Sequence, residues 1–169
     1  ISIAFALHWT GIIHYFRGDY ATCLKFADDT IALSERHEFA FFAALGTMWR
    51  GMTLSQIQRR FDEDILALMH RGLDACQETG AVFCIPFFMI NIAKTRIYAG
   101  QVDTALEEID NALDIIDQTD ERWSEPDMYR MRGEFLLQKG DVAGAEADFI
   151  RARDIALDRE ALSWALRAA

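Results

Sequence analysis

The sequence has few of the residues that interrupt regular secondary structure, with only 2 prolines and 10 glycines among 169 residues. An all-β protein of this length needs turn residues at intervals of about 8 to 12 positions, so this class is excluded. Disorder is excluded as well, because a chain that is 51% hydrophobic can bury a substantial core. The composition therefore favours an all-α protein of one domain.

Positive charge is also scarce, since 17 basic residues face 27 acidic ones and give a formal net charge of −10. Affinity for nucleic acid comes largely from lysine and arginine, so no nucleic-acid partner is expected. The same charge repels anionic membranes. No apolar run approaches the roughly 20 residues that a bilayer-spanning helix requires. We therefore expect no membrane partner either.

Cysteine is limited to Cys23, Cys76 and Cys84, an odd number without CxxC spacing. This pattern predicts buried, reduced thiols and a cytoplasmic location. The sequence opens at Ile1 without methionine, already inside a helical pattern. We interpret it as a fragment of a larger multidomain protein, so the lack of a targeting signal is uninformative.

An internal repeat organises the chain. The same step in numbering superposes Pro86 on Pro126, Gly100 on Gly140 and Ala112 on Ala152. Near the N-terminus an equal step superposes Trp9 on Trp49 and Gly11 on Gly51, and a slightly longer step joins the two halves. Such a period is typical of arrays built from helix pairs. The predicted repeats span about 1–37, 38–80, 81–120 and 121–160, with a partial fifth at 161–169.

Each repeat is predicted to contain two helices, A and B. Apolar residues at offsets of three and four predict the A helices at 2–17, 39–57, 83–99 and 124–139, and the B helices at 19–35, 62–79, 102–118 and 142–158. Gly18, Gly100 and Gly140 are placed to close A helices in the left-handed conformation, and Pro86 and Pro126 fall in first turns. One small residue recurs in each helix, Gly11, Gly51, Ala93 and Gly133 in A and Thr30, Gly72, Ala112 and Ala152 in B, which predicts close helix contacts.

The spacing of these small residues resembles that of tetratricopeptide repeats. The positions that match best are Gly133, Gly140, Ala145, Phe149 and Ala152, followed by Ala93, Gly100, Ala105, Ile109 and Ala112. The resemblance implies an all-α superhelical array of antiparallel helix pairs, with about four repeats and a partial fifth in a single domain that covers 1–169. The period of about 40 residues exceeds the roughly 34 residues usual in that family.

A narrower resemblance covers nearly the whole chain. The segments that carry it are Gly18-Asp19-Tyr20, Trp49-Arg50-Gly51, Arg71-Gly72-Leu73, Glu121-Arg122-Trp123, Arg132-Gly133-Glu134 and Ser163-Trp164. They are similar to the C-terminal repeats of large bacterial signalling proteins, in which an adenylate or guanylate cyclase or a transcriptional regulator is fused to a STAND-type ATPase. The resemblance implies a regulatory or sensor segment of such a parent.

Motifs for chemistry are missing from the sequence. There is no GxxxxGK[ST] phosphate loop, no GxGxxG, no HExxH and no EF-hand loop. His8 and His14 point to different helix faces, while His37 and His70 are isolated, so no metal site is predicted. We expect no cofactor and no catalysis by this segment. An active site of the parent protein would lie elsewhere.

The A helices supply the candidate interaction surface. The resemblance implies a concave groove lined by A-helix side chains, namely Phe5, His8, Ile12, Tyr15, Phe16, Leu45, Met48, Met52, Phe87, Ile90, Tyr98 and Arg130. The alternative is that these residues pack against each other or against flanking repeats. Trp9, Trp49, Trp123 and Trp164 recur at corresponding or end-of-repeat positions, so we interpret them as packing residues.

Two functions are compatible with these sequence features. The first is a protein-interaction and regulatory scaffold that binds a peptide, another domain of the parent or a second copy of the chain. The second is a repeat domain that senses a small-molecule effector, which would need an enclosed pocket with a few polar groups.

Overall fold

A computed structural model describes residues 1–168 of the chain, and α-helices dominate it. They are α1 (Ser2–Phe16), α2 (Tyr20–Arg36), α3 (Ala40–Gln58), α4 (Glu63–Glu78), α5 (Ile85–Ile97), α6 (Val102–Thr119), α7 (Glu125–Lys139), α8 (Val142–Asp158) and α9 (Leu162–Ala168). Helices account for 82% of the chain, and residues 1–168 contain no strand. The all-α prediction is confirmed. None of these helices combines the length and apolarity that crossing a bilayer requires.

The predicted helix bounds agree closely with the observed ones for all four A helices and all four B helices. The helix expected to begin near Ala161 is also present, as α9. Its predicted last residue, Ala169, lies outside the described residues. The repeat period and the glycines and prolines near helix ends were therefore sufficient to locate the helices.

A left-handed backbone residue occurs in every helix connection of the described chain. Four are glycines with φ between +71° and +86°, and four are other residues with φ between +49° and +58°. In chain order they are Gly18, Glu38, Arg59, Gly80, Gly100, Asp120, Gly140 and Glu160, at nearly equal intervals of half a repeat. The connection before α5 contains a ninth, Cys84. A left-handed residue ends one helix and redirects the chain into the next.

Aspartate side chains cap the N-termini of three of the B helices. Asp19 accepts a hydrogen bond from the backbone N–H of Thr22, Asp62 accepts from two backbone N–H groups of α4, and Asp141 accepts from Gly144. These bonds satisfy amide donors that have no partner within the helix. Asp62 is the N-cap of α4, and Pro126 lies in the first turn of α7 as expected.

The described chain divides into two compact units, residues Ile1–Phe88 and the residues from Met89 onward. In unit 1, α1 packs on α2, α2 on α3 and α3 on α4, and α1 also contacts α3. A β-carbon added to Gly51 would lie 2.5 Å from Cγ of Met69, and one added to Gly72 would lie 2.9 Å from the backbone nitrogen of Met48. The predicted close contacts at these glycines are confirmed.

In unit 2, α6 packs on α7, α7 on α8 and α8 on α9, and α7 also contacts α9. A β-carbon on Gly133 would lie 2.8 Å from the ring of Phe149. Ala112 and Ala152 are fully buried, as their small size predicted. The core of this unit also contains Met128 and Phe135.

Candidate functional site

Partly exposed aromatic rings lie on α1 and just before α5 in unit 1. Phe5, Trp9 and Phe16 lie on α1, and Phe83 lies just before α5. The Trp9 ring centroid is 5.9 Å from that of Phe5 and 6.3 Å from that of Phe83. We call these four residues the aromatic surface. Rings at these separations contact one another, so they offer a face rather than a cage.

Trp49 of α3 supports the aromatic surface from beneath. Its buried indole lies 6.4 Å from the ring of Phe16, 5.1 Å from Tyr15 and 5.9 Å from Phe87. Because these rings come from different elements, they hold α1 against α3 and the start of α5 within unit 1. Phe16 of the aromatic surface is therefore packed on a buried aromatic core.

The imidazole of His8 lies inside this cluster. Its ring centroid is 5.6 Å from Trp9, 6.0 Å from Phe42 and 6.3 Å from Trp49, and the residue is buried. Burial lowers the pKa of His8 from 6.5 to about 4, because an apolar environment disfavours the imidazolium. His8 is therefore neutral at physiological pH and acts as an apolar packing group.

A cavity of about 10 Å³ lies beside His8 and Trp49. This volume holds one water molecule at most. The indole N–H of Trp49 is buried and has no hydrogen-bond acceptor within the described residues. The cavity is too small to bind an organic ligand.

The residues of the predicted groove divide into core and surface. Seven of them are buried, namely His8, Ile12, Leu45, Met48, Met52, Phe87 and Ile90. These seven residues fit the alternative interpretation, in which the A-helix side chains pack against each other as core. Tyr15, Tyr98 and Arg130 are half-buried, and Arg130 forms ion pairs with Asp127 and Glu134 of its own helix. Phe5 and Phe16 are the exposed members, and both belong to the aromatic surface.

Two of the four tryptophans are more exposed than their interpretation as packing residues implied, and this is a correction. Trp49 is buried, but Trp9 is 37% exposed and Trp123 is 36% exposed. Trp9 lies at the flank of α1, where the sequence spacing did not distinguish a core position from a half-covered one. The indole N–H of Trp123 donates to the Glu121 carboxylate in the connection before α7.

The three cysteines are free and buried, which confirms the prediction of buried thiols. Cys23 Sγ lies 3.1 Å from the hydroxyl of Thr53. Burial raises the pKa of Cys23, and it raises the pKa of Cys76 to about 12. Both thiols are therefore protonated at neutral pH and make poor nucleophiles.

In unit 2 the polar groups form ion pairs that connect helices. Arg132 of α7 donates to both carboxylate oxygens of Asp148 on α8, at 2.7 and 2.8 Å, and to Asp110 of α6 at 2.8 Å. Hydrogen bonds from Arg132 to these carboxylates, Asp148 first, raise the pKa of the guanidinium. Arg159 after α8 donates to Glu125 at the start of α7 at 2.6 Å. Because Asp148 and Glu125 are buried, these pairs fix the three helices relative to one another.

One of these pairs has a counterpart in unit 1. Arg50 of α3 lies 2.8 Å from Asp28 of α2, just as Arg132 of α7 lies 2.8 Å from Asp110 of α6. The arginines and the aspartates are separated by the same step in numbering, from 50 to 132 and from 28 to 110, which is the sum of the two repeat steps. The pair of Arg132 with Asp110 was not predicted from the sequence. The equal separation of the two arginines and of the two aspartates was a signal that could have identified it.

Unit 2 also has an open apolar pocket of about 460 Å³. Its lining consists of Leu137, Val142, Glu146, Phe149, Ile150, Arg153 and Ala168. The lining includes two charged side chains of opposite sign on α8, Glu146 and Arg153, and the Arg153 guanidinium is paired with Asp154 at 2.7 Å. The pocket is within the size range of small-molecule sites.

Within residues 1–168, no group of three histidine, cysteine, aspartate or glutamate side chains is placed to hold a metal ion. Comparison with known proteins gives no assignment: no family model matches the chain, and no curated protein matches it either. Function is therefore inferred from the geometry of the two units.

Proposed function

We propose that this chain is a non-catalytic protein-interaction and regulatory segment, built as a tetratricopeptide-like array of four helix pairs and a partial fifth. Four of the left-handed residues, Glu38, Gly80, Asp120 and Glu160, coincide with the predicted repeat boundaries, which supports the array. The contacts of α1 with α3 and of α7 with α9 support it further, because successive A helices are neighbours in such arrays. The resemblance to bacterial signalling proteins suggests a cytoplasmic cyclase or transcriptional regulator with a STAND-type ATPase as the parent.

The aromatic surface is the observation that carries the proposal. Exposed aromatic rings are enriched where proteins bind other proteins, because each ring contributes a large contact area at a low cost in side-chain entropy. Residues 1–16 contain no aspartate, glutamate, lysine or arginine. A charged partner would lose hydration there without gaining a counter-charge. The expected partner is therefore an uncharged, apolar segment of another protein or of the parent chain.

The test compares two tryptophans of nearly equal exposure. Wild-type protein, Trp9→Ser and Trp123→Ser are applied to an array of random 12-residue peptides, and the bound peptides are sequenced. We expect the wild type and Trp123→Ser to select uncharged apolar peptides, and Trp9→Ser to lose that selection. Equal selection by all three proteins would exclude the aromatic surface as the binding site.

The same proposal includes the absence of catalysis, of a cofactor, and of nucleic-acid or membrane partners. The support is chemical: His8 is held neutral, the Cys23 and Cys76 thiols are held protonated, and Arg132 is occupied by ion pairs. Burial leaves His8 a weak base and the two thiols poor nucleophiles, and Arg132 is committed to Asp148 and Asp110. ATP or GTP turnover that copurifies with the chain and disappears with His8→Gln would contradict this part of the proposal.

A second candidate function, sensing of a small-molecule effector, rests on the pocket of unit 2, which is open rather than enclosed. Its apolar lining and its Glu146 and Arg153 side chains suit a small apolar compound that carries one ionised group. The test uses the dye 8-anilinonaphthalene-1-sulfonate. Ile150→Asp, inside the pocket, should abolish the fluorescence increase, whereas Leu157→Asp, on α8 but outside the pocket, should not. No increase with the wild type would eliminate this candidate.

A further inference from the structure

Three ion pairs join α6 to α7 and to the connection before it. They are Asp103 with Lys139, Asp110 with Arg132 and Asp117 with Arg122, at 2.7, 2.8 and 3.0 Å. The aspartates are seven positions apart, which is close to two helical turns, so they lie on one side of α6. We call the residues of these three pairs the α6–α7 ladder.

The carboxylates of the ladder are open to water, whereas those that join α7 to α8 are not. The three aspartate side chains of the ladder are 61 to 78% exposed. The side chains of Asp148 and Glu125, which pair with Arg132 and Arg159, are each 6% exposed. Salt screens exposed pairs strongly and buried pairs much less. Ionic strength therefore acts on the contact of α6 with α7 and leaves the contact of α7 with α8 nearly unchanged.

The connection between α6 and α7 is attached to the end of α8. Arg159, which follows α8, donates to the backbone carbonyl of Arg122 and, at 2.6 Å, to the carboxylate of Glu125. The backbone ends α6 at Asp120, whose φ is +58°. The connection after this residue therefore belongs with α7 and α8, and Asp120 is the point at which α6 can turn relative to them.

The helices α6 and α7 also pack less closely than the repeat-related helices α2 and α3. Gly46 lets α3 approach α2, because a β-carbon there would lie 2.8 Å from Cγ1 of Ile31 and 3.3 Å from the carbonyl oxygen of Ala27. The step that relates the ion pairs of the two units leads from Gly46 to Met128, which is fully buried. A methionine at this position holds α7 further from α6. The long lysine and arginine side chains of the ladder span the wider gap.

The helix α6 is also joined to α5. The guanidinium of Arg96 on α5 donates to the carboxylate of Glu108 on α6 at 2.6 Å, and both side chains are mostly buried. Two groups of helices therefore meet at the ladder, α6 with this part of α5, and α7 with α8. We propose that the α6–α7 junction is an ionic hinge: the ladder holds the two groups together at low ionic strength, and screening of the ladder lets α6 turn away about Asp120.

The hinge lies inside unit 2 and needs no partner, so it does not depend on the proposed function. Salt acts on the side-chain ion pairs and leaves the backbone hydrogen bonds of α6 intact, so the helix turns as a rigid body. Hinge motion between two rigid groups is one of the changes by which regulatory proteins switch. The switch proposed here is the loss of exposed ion pairs, and the helix content stays constant.

The first test measures the distance between α6 and α8 as the salt concentration is varied. p-Acetylphenylalanine is introduced at Asn111 of α6 and Ala147 of α8, both exposed, and is coupled to nitroxides, so that the native thiols are not labelled. Raising NaCl from about 10 mM to about 1 M shortens the screening length from about 30 Å to about 3 Å. Double electron–electron resonance should show an increase of about tenfold in the population with longer distances, the combined effect of three exposed ion pairs of ordinary strength.

The control for this measurement is a nitroxide pair at Gln138 of α7 and Ala147 of α8. Both positions belong to the α7–α8 group, so their distance should be the same at every salt concentration. A distance between positions 111 and 147 that does not respond to salt overturns the proposal. Equal changes for the two nitroxide pairs would overturn it as well, because the whole unit rather than the junction would be loosening.

The second test changes the charge of α6 equally in two ways. Asp103→Asn with Asp110→Asn removes two pairs of the ladder. Glu107→Gln with Asp114→Asn is the matched control, because these carboxylates are exposed on the same helix and form no ion pair within residues 1–168. The ladder variant should show the longer distances already at low salt and respond little to added salt, whereas the control should respond as the wild type does.

The Gln138 and Ala147 nitroxide pair is measured in both variants as well. An unchanged distance there shows that the α7–α8 group is still folded, so a longer distance to α6 reports the hinge and not unfolding. If the two variants behave alike in the distance between positions 111 and 147, the net charge of α6 and not the ladder sets the arrangement, and the proposal is wrong.

Discussion

At the residue scale, polar groups in the interior of unit 1 are kept in their neutral forms. His8 has three aromatic neighbours, and the Cys23 thiol shares a hydrogen bond with Thr53. Neither group is placed beside a counter-charge that would favour ionisation. The folded state therefore favours the neutral form of each group, and the free energy of unfolding depends on pH.

His8 should make the protein less stable in mild acid. Between pH 6.5 and about 4 the unfolded chain binds a proton at this imidazole, while the folded chain does not. The free energy of unfolding should therefore be highest above pH 6.5 and should fall by about 3 kcal/mol as the pH approaches 4. Urea unfolding at several pH values measures this dependence.

The control for that experiment is His37, which is exposed after α2. His8→Gln should flatten the pH dependence between 6.5 and 4, whereas His37→Gln should leave it as in the wild type. A wild-type stability that does not change across this interval would show that His8 is protonated in the folded state.

Gly72 should not tolerate even one additional methyl group. Alanine there would place its β-carbon 2.9 Å from the backbone nitrogen of Met48, so the two helices must separate. We expect Gly72→Ala to lower the free energy of unfolding by about 1 to 3 kcal/mol, despite the better helix propensity of alanine. Gly11→Ala is the comparison, because its nearest neighbour is the side-chain Cβ of Phe26 at 3.1 Å. The prediction fails if Gly72→Ala melts at or above the temperature of Gly11→Ala.

The sequence predicted which small residues lie at helix contacts, but it did not predict how far each A-helix side chain is exposed. Gly51, Gly72 and Gly133 recur at fixed positions, so the repeat itself identified them. Phe5 and His8 were both predicted to line the groove, yet Phe5 is exposed and His8 is buried. They lie only three positions apart, and the difference depends on how α1 is rotated against α3. The spacing of apolar residues within α1 does not determine that rotation.

At the scale of elements, Arg132 connects three consecutive helices. It pairs with the buried Asp148 of α8 and with the exposed Asp110 of α6. Within residues 1–168, its counterpart Arg50 pairs with Asp28 alone, and both of those residues are about half-exposed. The two repeat-related arginines therefore have different surroundings, although the sequence around them is similar.

Removal of these arginines should have unequal effects. Arg132→Met leaves the Asp148 carboxylate buried without a counter-charge and should cost about 3 to 5 kcal/mol of stability. Arg50→Met removes an exposed pair and should cost at most about 1 kcal/mol. The double variant Arg132→Met with Asp148→Leu should recover most of the loss, because it removes the unpaired charge as well. Chemical unfolding of the four proteins measures these differences, and equal losses for the two arginine variants would contradict the assignment.

The helix bounds were predictable because several local signals agreed with the period. Asp62 and Asp141 begin α4 and α8, and Gly140 ends α7. The ion pairs were harder to predict, because the chain has 27 acidic residues and pattern alone does not select the one that Arg132 binds. The offset shared with the pair of unit 1 would have selected Asp110, but Asp148 follows only from the packing of α7 on α8.

At the scale of the whole molecule, the net charge of −10 sets a prediction about nucleic acid. A transcriptional regulator is one of the parents that the resemblance implies, but this chain should not bind duplex DNA. A fluorescein-labelled 20-base-pair duplex should keep its anisotropy at protein concentrations of about 10 µM in low salt, where nonspecific binders respond. Lysozyme, a basic protein of similar size, serves as the positive control. A salt-sensitive rise with this chain would mean that a local basic surface overrides the net charge.

The left-handed residues in the eight connections have a consequence for how such a chain can change in evolution. They recur at nearly equal intervals, and half of the regularly spaced ones are not glycine, so the conformation is retained where the side chain varies. Insertion of a single residue within a helix would shift every later contact out of register. Duplication of a whole helix pair, from one such residue to the next but one, would add length while keeping each junction intact. The helix pair, rather than the residue, is therefore the step by which this architecture can grow or shrink.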